Sequence, residues 1–142
     1  MDPKPASPWA RFAALVYDLF PLIGLWMLVA ALFLLGAHGS VDAAHPPFAY
    51  RLALRLALLA VTALYFVVSW SRGGQTIGMR AWRLRVVDVN GAKLPWPRAL
   101  LRFGAALVSL GACGLGFLWC FVDGERRAWH DIAARSRVTR PE

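Results

Sequence analysis

The sequence predicts an all-α membrane protein with two transmembrane helices, a third apolar element and a small β-hairpin. Hydrophobic residues make up 58% of the 142 residues and charged residues 17%, against about 45–50% and about 25% in soluble domains. A soluble domain of this size has too little interior to hide so much apolar surface. The apolar residues lie in long runs, with most basic residues outside them. The lipid bilayer is therefore the predicted partner, and residues 1–142 are predicted to form one membrane domain.

The first predicted transmembrane helix covers residues 12–35, an apolar run interrupted by a single charge, Asp18. At about 1.5 Å per residue the run is long enough to cross a hydrocarbon core of about 30 Å with some tilt. A stretch containing glycine, histidine and proline follows and is typical of an exposed loop. The second predicted transmembrane helix then covers residues 52–70.

Residues 71–98 have the composition of a surface segment rather than a membrane helix. A polar glycine-rich turn opens the segment, and residues 83–89 roughly alternate polar and apolar side chains, as in a half-buried strand. Asn90-Gly91 follows at once, and this dipeptide favours tight hairpin turns because both residues accept positive φ. We therefore predict a cytoplasmic β-hairpin over residues 83–94, with residues 137–140 close to it and able to pair near Val86.

The third apolar run, residues 103–122, is long enough to span, but glycines crowd its centre around Gly114. A full span would place the basic segment 71–98 and the basic tail 123–142 on opposite sides of the membrane, which the positive-inside rule disfavours. A broken or re-entrant element that turns near Gly114 brings both segments to the cytoplasmic side. We favour this arrangement over the full span, and it predicts that both termini are cytoplasmic.

Asp18 is the most informative charge, because a carboxylate at the centre of a transmembrane helix costs about 2.5–3.5 kcal/mol on insertion scales. Arg11 lies about 10 Å earlier on the same helical face, so a direct or water-mediated Arg11–Asp18 pair is expected. Pro21 lacks an N–H group and so leaves the carbonyl of Tyr17 without its helical donor. Together these groups form a polar notch, which can bind a cation or proton or can serve only to pack helices.

The tail carries His130 next to Asp131, and histidine titrates near neutral pH. No third ligand stands at a spacing suited to a metal, and no nucleophile stands in an activating context. We therefore expect no metal, no cofactor and no enzymatic activity. The formal charge of +8 is not accompanied by a nucleic-acid recognition motif, so nucleic acid is not an expected partner.

Three segments resemble the RDD family of bacterial membrane proteins, which is named for one arginine and two aspartates. The opening signature is similar to Arg11–Asp18, with an arginine at the helix start and an aspartate within it. Residues 74–80 and 85–88 resemble the middle segment, and residues 129–131 resemble the closing one. The family's closing segment usually continues as HDxxAGTxVV, whereas residues 136–139 here read SRVT.

The resemblance implies a multi-pass protein of the bacterial inner (plasma) membrane, with Arg11, Asp18 and Asp131 as its charged set. One hypothesis is a transporter or ion-exchange component in which Asp18 acts within the membrane and the other two charges tune it. Because two or three helices cannot enclose a path, such a protein would need a homo-oligomer or another membrane subunit. The other hypothesis is a non-transporting accessory or structural protein in which the set is a packing clasp. Further residues expected to support the set are Tyr17, Pro21 and His130.

Overall fold

The computed structural model describes residues 4–42 and 44–140, and two long apolar helices dominate it. Helix α1 covers Pro8–Gly36 and α2 covers Phe48–Val68. Both helices are long and apolar enough to cross a membrane, which confirms the two predicted spans. α1 begins before the predicted residue 12 because the Ser7 side chain accepts from the Ala10 N–H and Pro8 suits the first helical turn.

Helices α1 and α2 run antiparallel and contact each other along their length. The indole Nε1 of Trp26 donates to Thr62 Oγ1 at 2.9 Å. Farther along α1, the ring of Phe33 packs edge-to-face on Tyr50, with centroids 5.8 Å apart. Large apolar side chains on both helices remain exposed, as expected for surfaces that face lipid.

At its end, α2 continues into a π-helical turn, Ser69–Gly73. A short helix α3 (Ile77–Ala81) follows, and the side chain of its N-cap, Thr76, accepts a hydrogen bond from the Met79 N–H at 3.1 Å. Strand β1 then covers Arg85–Asp88. The segment predicted to lie on the surface therefore contains a short helix as well as a strand.

The third apolar element is broken, as predicted. Helix α4 covers Trp96–Gly111 and helix α5 covers Leu115–Leu118, followed by a 3-10 turn, Trp119–Phe121. The two parts meet at an angle of 107°. The break forms because Cys113 and Gly114 both adopt positive φ, 57° and 77°, a conformation that no α-helix accepts.

The tail folds back to pair with the middle of the chain. Helix α6 covers Trp129–Ala133 and strand β2 covers Ser136–Thr139. β1 and β2 are antiparallel, with Val86 opposite Val138, so the predicted pairing of the tail near Val86 is confirmed. The opposite edge of β2 meets the N-terminal segment, where the Ala6 N–H donates to the Val138 carbonyl at 2.9 Å.

The predicted hairpin over residues 83–94 is wrong in its second strand. The turn at Asn90–Gly91 does form, and the Asp88 N–H donates to the Ala92 carbonyl at 2.8 Å. Residues 89–95, all of which the structure describes, nevertheless form no strand. Pro95 and Pro97 lack N–H donors and begin helix α4, so the chain leaves the sheet at once.

The buried apolar core lies at one end of the long helices, between them and the sheet. It includes the first turns of α1, the end of α2 and the start of α4, together with both strands. Its largest members are Trp70, Met79, Leu84, Val86, Leu94, Phe103 and Val138. This packed layer holds the two charged centres described next.

Candidate functional site

Asp131 is the centre of a buried ion-pair cluster that joins three helices. Its carboxylate oxygen Oδ2 pairs with Arg11 Nη1 from α1, and its Oδ1 lies 2.5 Å from Arg102 Nη1 of α4. The Ala128 N–H also donates to Oδ2 at 2.9 Å, which caps α6. The side chain of Asp131 is 0% exposed. The start of α1 is therefore tied to the tail by opposite charges.

Arg102 is the second cation of this cluster, and it is almost fully buried. Its Nη1 also donates to Ser136 Oγ at 2.6 Å, at the start of strand β2. The guanidinium carbon lies 4.9 Å from the centre of the Trp70 ring, a cation–π contact with the π-helical turn that follows α2. Arg102 thus links α4 to this turn, to α6 and to β2.

The surroundings set the charge of the two titratable groups of α6. Burial alone raises the pKa of Asp131, but the guanidiniums of Arg102 and Arg11 outweigh it and hold the pKa below its ordinary value. Burial, followed by the charge of Arg102, lowers the pKa of His130 from 6.5 to about 3. At neutral pH Asp131 is therefore ionised and His130 is neutral.

Asp18 forms a second and separate centre, within helix α1. Its Oδ1 accepts from the Tyr65 hydroxyl at 2.7 Å and from the Gly78 N–H at 2.8 Å. Its Oδ2 accepts from Thr76 Oγ1 at 2.5 Å. All three donors are neutral, and Asp18 is 1% exposed. This centre fastens α1 to α2 and to the start of α3.

The Gly78 contact depends on the absence of a side chain. A Cβ atom at this position would lie 2.0 Å from the backbone oxygen of Ala14 and 2.9 Å from Asp18 Cγ. Distances under 3.0 Å require the backbone to move apart. Glycine therefore lets α3 approach α1 closely enough for the Gly78 N–H to reach the carboxyl group.

Two arginines, Arg11 and Arg102, and two aspartates therefore hold the packed layer together, and the comparison with known proteins identifies the family. The RDD family model matches residues 5–135, nearly the whole chain. The chain belongs to the RDD family. No curated protein and no solved structure matches it. The family and the apolar helices make this RDD protein an integral membrane protein.

The expected contact between Arg11 and Asp18 is not formed in this RDD protein. Arg11 lies in the first turn of α1 and points toward the tail, where it pairs with Asp131. Asp18, about 10 Å farther along the helix, turns instead to α2 and α3. Asp18 also does not bond to the predicted notch around Pro21 and Tyr17. Pro21 lies within an unbroken α1, and the Tyr17 ring packs on Trp82.

Sequence reasoning missed Arg102, Tyr65, Thr76 and Gly78. The signal for Arg102 was helical periodicity, because it occupies the same buried face of α4 as Ala99 and Phe103. Thr76 and Gly78 lie in the segment 74–80 that resembles the family's middle segment, but the resemblance did not link them to Asp18, and Tyr65 carried no comparable signal. Among residues 4–42 and 44–140, no three His, Cys, Asp or Glu side chains gather closely enough to hold a metal ion.

A cleft of about 280 Å³ opens beside the Asp18 centre, at the end of α2. Tyr65 borders it and also receives a hydrogen bond from the Ile77 N–H at 3.3 Å. The cleft is therefore separated from the Asp18 carboxyl by the phenol of Tyr65. Its main polar and apolar lining residues are Tyr65, Ser69, Arg72, Gln75, Ile77 and Arg80.

Proposed function

We propose that this RDD protein is a non-transporting accessory membrane protein, in which Arg11, Asp18 and Asp131 clasp an interfacial layer to the membrane helices. The interfacial layer is defined as residues 74–95 and 123–140. The observation that carries this proposal is that Arg11 pairs with Asp131, 120 positions away, while Asp18 bonds to protein donors. The three residues thus join distant segments of the chain.

The Asp131 cluster supports a structural role because its charges already neutralise one another. A ligand cation would have to displace Arg11 and Arg102, and removing one member of a buried ion pair typically costs about 3–5 kcal/mol. His130 is neutral at physiological pH, with its ring 9% exposed. These properties suit a permanent contact better than a site that exchanges ligands.

The Asp18 centre also supports a structural role. Cations bind to the lone pairs of oxygen atoms, and here Tyr65, Thr76 and Gly78 direct hydrogens at both carboxyl oxygens. The neighbouring cleft contains Arg72 and Arg80, whose positive charges repel an approaching cation. The centre is therefore built to hold α3 against α1.

We also propose that the interfacial layer is cytoplasmic and that the protein resides in the inner (plasma) membrane. The Arg140 N–H donates to the Lys4 carbonyl at 3.1 Å, so the described chain ends lie side by side. Exposed arginines are concentrated in the same layer, which favours the cytoplasmic side. Labelling of single cysteines introduced at Lys4 and Arg140 tests this: both should react from the cytoplasm, and reaction from opposite sides would contradict it.

A second candidate function is ion exchange through a homo-oligomer or a complex with another membrane subunit. The observation that favours it is the cleft, which reaches the phenol of Tyr65 and hence the partner of an intramembrane carboxyl group. In that role Tyr65 would move away so that Asp18 becomes accessible from the cleft.

Liposome flux measured together with stability separates the two functions. The full chain is reconstituted, and proton and sodium fluxes are followed under imposed gradients for the wild type, D18N and a matched control, D42N, at an exposed loop aspartate. The accessory function predicts flux no higher than in empty liposomes, with D18N less stable and D42N unchanged. Flux that D18N abolishes and D42N preserves would contradict it and support ion exchange.

A further inference from the structure

We infer that the cleft at the end of α2 binds the phosphate group of an anionic lipid headgroup through Arg72 and Arg80. The cleft opens to the surface at the π-helical turn Ser69–Gly73, where the apolar helix gives way to the interfacial layer. This is the position at which a phospholipid headgroup meets a membrane protein.

The charge of the cleft calls for an anion. Arg72 and Arg80 are both exposed, and within the described chain neither guanidinium has a carboxylate within 4.0 Å. No Asp or Glu is found among the described residues that line the cleft. Two guanidiniums that share one cleft repel each other, and a phosphate between them removes that repulsion.

The positions of the two side chains suit a shared ligand. Arg80 Nη2 lies 3.8 Å from the point where a Cβ on Gly73 would be, so the side chain reaches back toward the residue next to Arg72. Guanidinium groups bind phosphate oxygens through parallel N–H bonds, and two of them can take a single phosphate from two sides.

Two of the other polar side chains of the cleft are already engaged. The Gln75 side-chain amide donates to the Leu84 carbonyl at 2.7 Å, and the Tyr65 hydroxyl donates to Asp18. The two arginines and the neutral hydroxyl of Ser69 therefore provide the binding groups, and only the arginines among them are charged. The volume of about 280 Å³ lies just below the range of about 300–1,000 Å³ typical of small-molecule sites, so it suits a headgroup phosphate rather than a larger ligand.

The apolar wall of the cleft favours a lipid over a soluble anion. Val68 and Ile77 line it beside the two arginines, and Ile77 is 56% exposed. The surface of α2 leading to the cleft carries exposed leucines such as Leu64, along which an acyl chain can lie. Trp82, just after α3, is partly exposed, and indoles concentrate at the headgroup level of membranes.

The test measures the stabilisation of the full chain by lipid. The purified protein in detergent micelles is heated at increasing concentrations of phosphatidylglycerol, and the rise in Tm gives the apparent affinity. Each arginine near anionic lipid contributes about fivefold, so the R72Q/R80Q variant should bind about 30-fold more weakly. The matched control, R137Q/R140Q, removes the same charge from two exposed arginines elsewhere and should bind nearly as the wild type does.

Other outcomes of the experiment test the cleft as a site and the lipid as its ligand. Equal losses in the two double variants would show diffuse surface charge and would overturn the cleft as a site. Inorganic phosphate that stabilises as strongly as phosphatidylglycerol would show a soluble ligand and overturn the lipid. Phosphatidylcholine, which has no net charge, should bind more weakly. If R72Q/R80Q does not fold, R72Q and R80Q alone should each lose about fivefold, and no loss in either would refute the inference.

Discussion

Asp131 and Asp18 are equally buried, but Asp131 lies between two guanidiniums and Asp18 accepts hydrogen bonds from three neutral donors. Asp131 belongs to the interfacial layer, where arginines at the starts of α1 and α4 can reach it. Asp18 lies within a membrane helix, where a further buried cation would itself cost about 2.5–3.5 kcal/mol. Hydroxyl and backbone donors satisfy the carboxyl group without that cost. The two buried carboxyl groups thus receive partners of different charge.

Substitution of each aspartate by asparagine should distinguish the two centres through the loss of unfolding free energy. Asp131→Asn leaves Arg11 and Arg102 without their counter-charge and should lower the free energy of unfolding by about 3–5 kcal/mol. Asp18→Asn weakens hydrogen bonds but leaves no unpaired charge, so the loss should be about 1–3 kcal/mol. Reversible unfolding in mixed micelles measures both. Equal losses would mean that the two centres do not differ in kind.

The Asp18 centre requires a close approach of α3 to α1 at Gly78. Gly78→Ala places a Cβ against the backbone of Ala14 and should cost about 1–3 kcal/mol in unfolding free energy. The matched control is Gly24→Ala in α1, where a Cβ would meet nothing within 4 Å. This control should be neutral or slightly stabilising because alanine favours helix. A neutral Gly78→Ala would show that the glycine contact is not needed.

Acid should weaken the Asp131 cluster through His130. The pKa of His130 is about 3 in the folded protein and 6.5 otherwise, so below pH 6.5 the unfolded chain binds the proton more strongly. The free energy of unfolding keeps its full value above pH 6.5. It should fall by about 1.4 kcal/mol per pH unit on acidification, or by about 2 kcal/mol in total at pH 5. The lowered pKa of Asp131 adds a further loss only below its ordinary value of 3.8.

Unfolding free energies at pH 7, 6 and 5 measure this slope. His130→Asn should remove most of it, whereas His45→Asn, at an exposed loop histidine, should preserve it. A slope that survives His130→Asn would assign the acid sensitivity to another group.

The smallest effect concerns a neutral contact far from both centres. Thr62→Val removes the acceptor of the Trp26 indole and should cost about 0.6 kcal/mol, the average for hydrogen bonds between membrane helices. Thr62→Ser keeps the hydroxyl and serves as the control. A loss as large as that of Asp18→Asn would show that a single hydrogen bond between neutral side chains stabilises this protein as much as the hydrogen bonds to the Asp18 carboxyl group.

Much of the architecture follows from sequence alone because it depends on local composition. Run length predicts α1 and α2, and the glycines near Gly114 predict the break after α4. The prediction of a hairpin failed because the Asn90–Gly91 turn is a local signal, whereas β1 pairs with a strand of the distant tail. The tail could be placed near Val86 only through the distribution of charge between the membrane faces.

The sequence singled out Arg11, Asp18 and Asp131, but it did not predict their contacts. Sequence spacing predicted that Arg11 pairs with Asp18, which is closer to it in the chain. In the structure Arg11 pairs with Asp131, and Asp18 bonds to Tyr65. Helical spacing tells which residues share a face, but not which neighbouring segment that face meets. Tyr65 carries no sign of its role because hydroxyl residues occur throughout membrane helices. Thr76 lies in the segment that resembles the family, but the resemblance does not show that its hydroxyl reaches Asp18.

Arg11 acts on Asp131 and not on Asp18, and double-mutant cycles in unfolding free energy can measure both couplings. The first cycle combines Arg11→Gln with Asp131→Asn, and the second combines Arg11→Gln with Asp18→Asn. Residues in one ion-pair network couple by about 0.5–3 kcal/mol, whereas sites about 10 Å apart add to within about 0.5 kcal/mol. We expect coupling in the first cycle and additivity in the second. Coupling in the second cycle with additivity in the first would contradict the account.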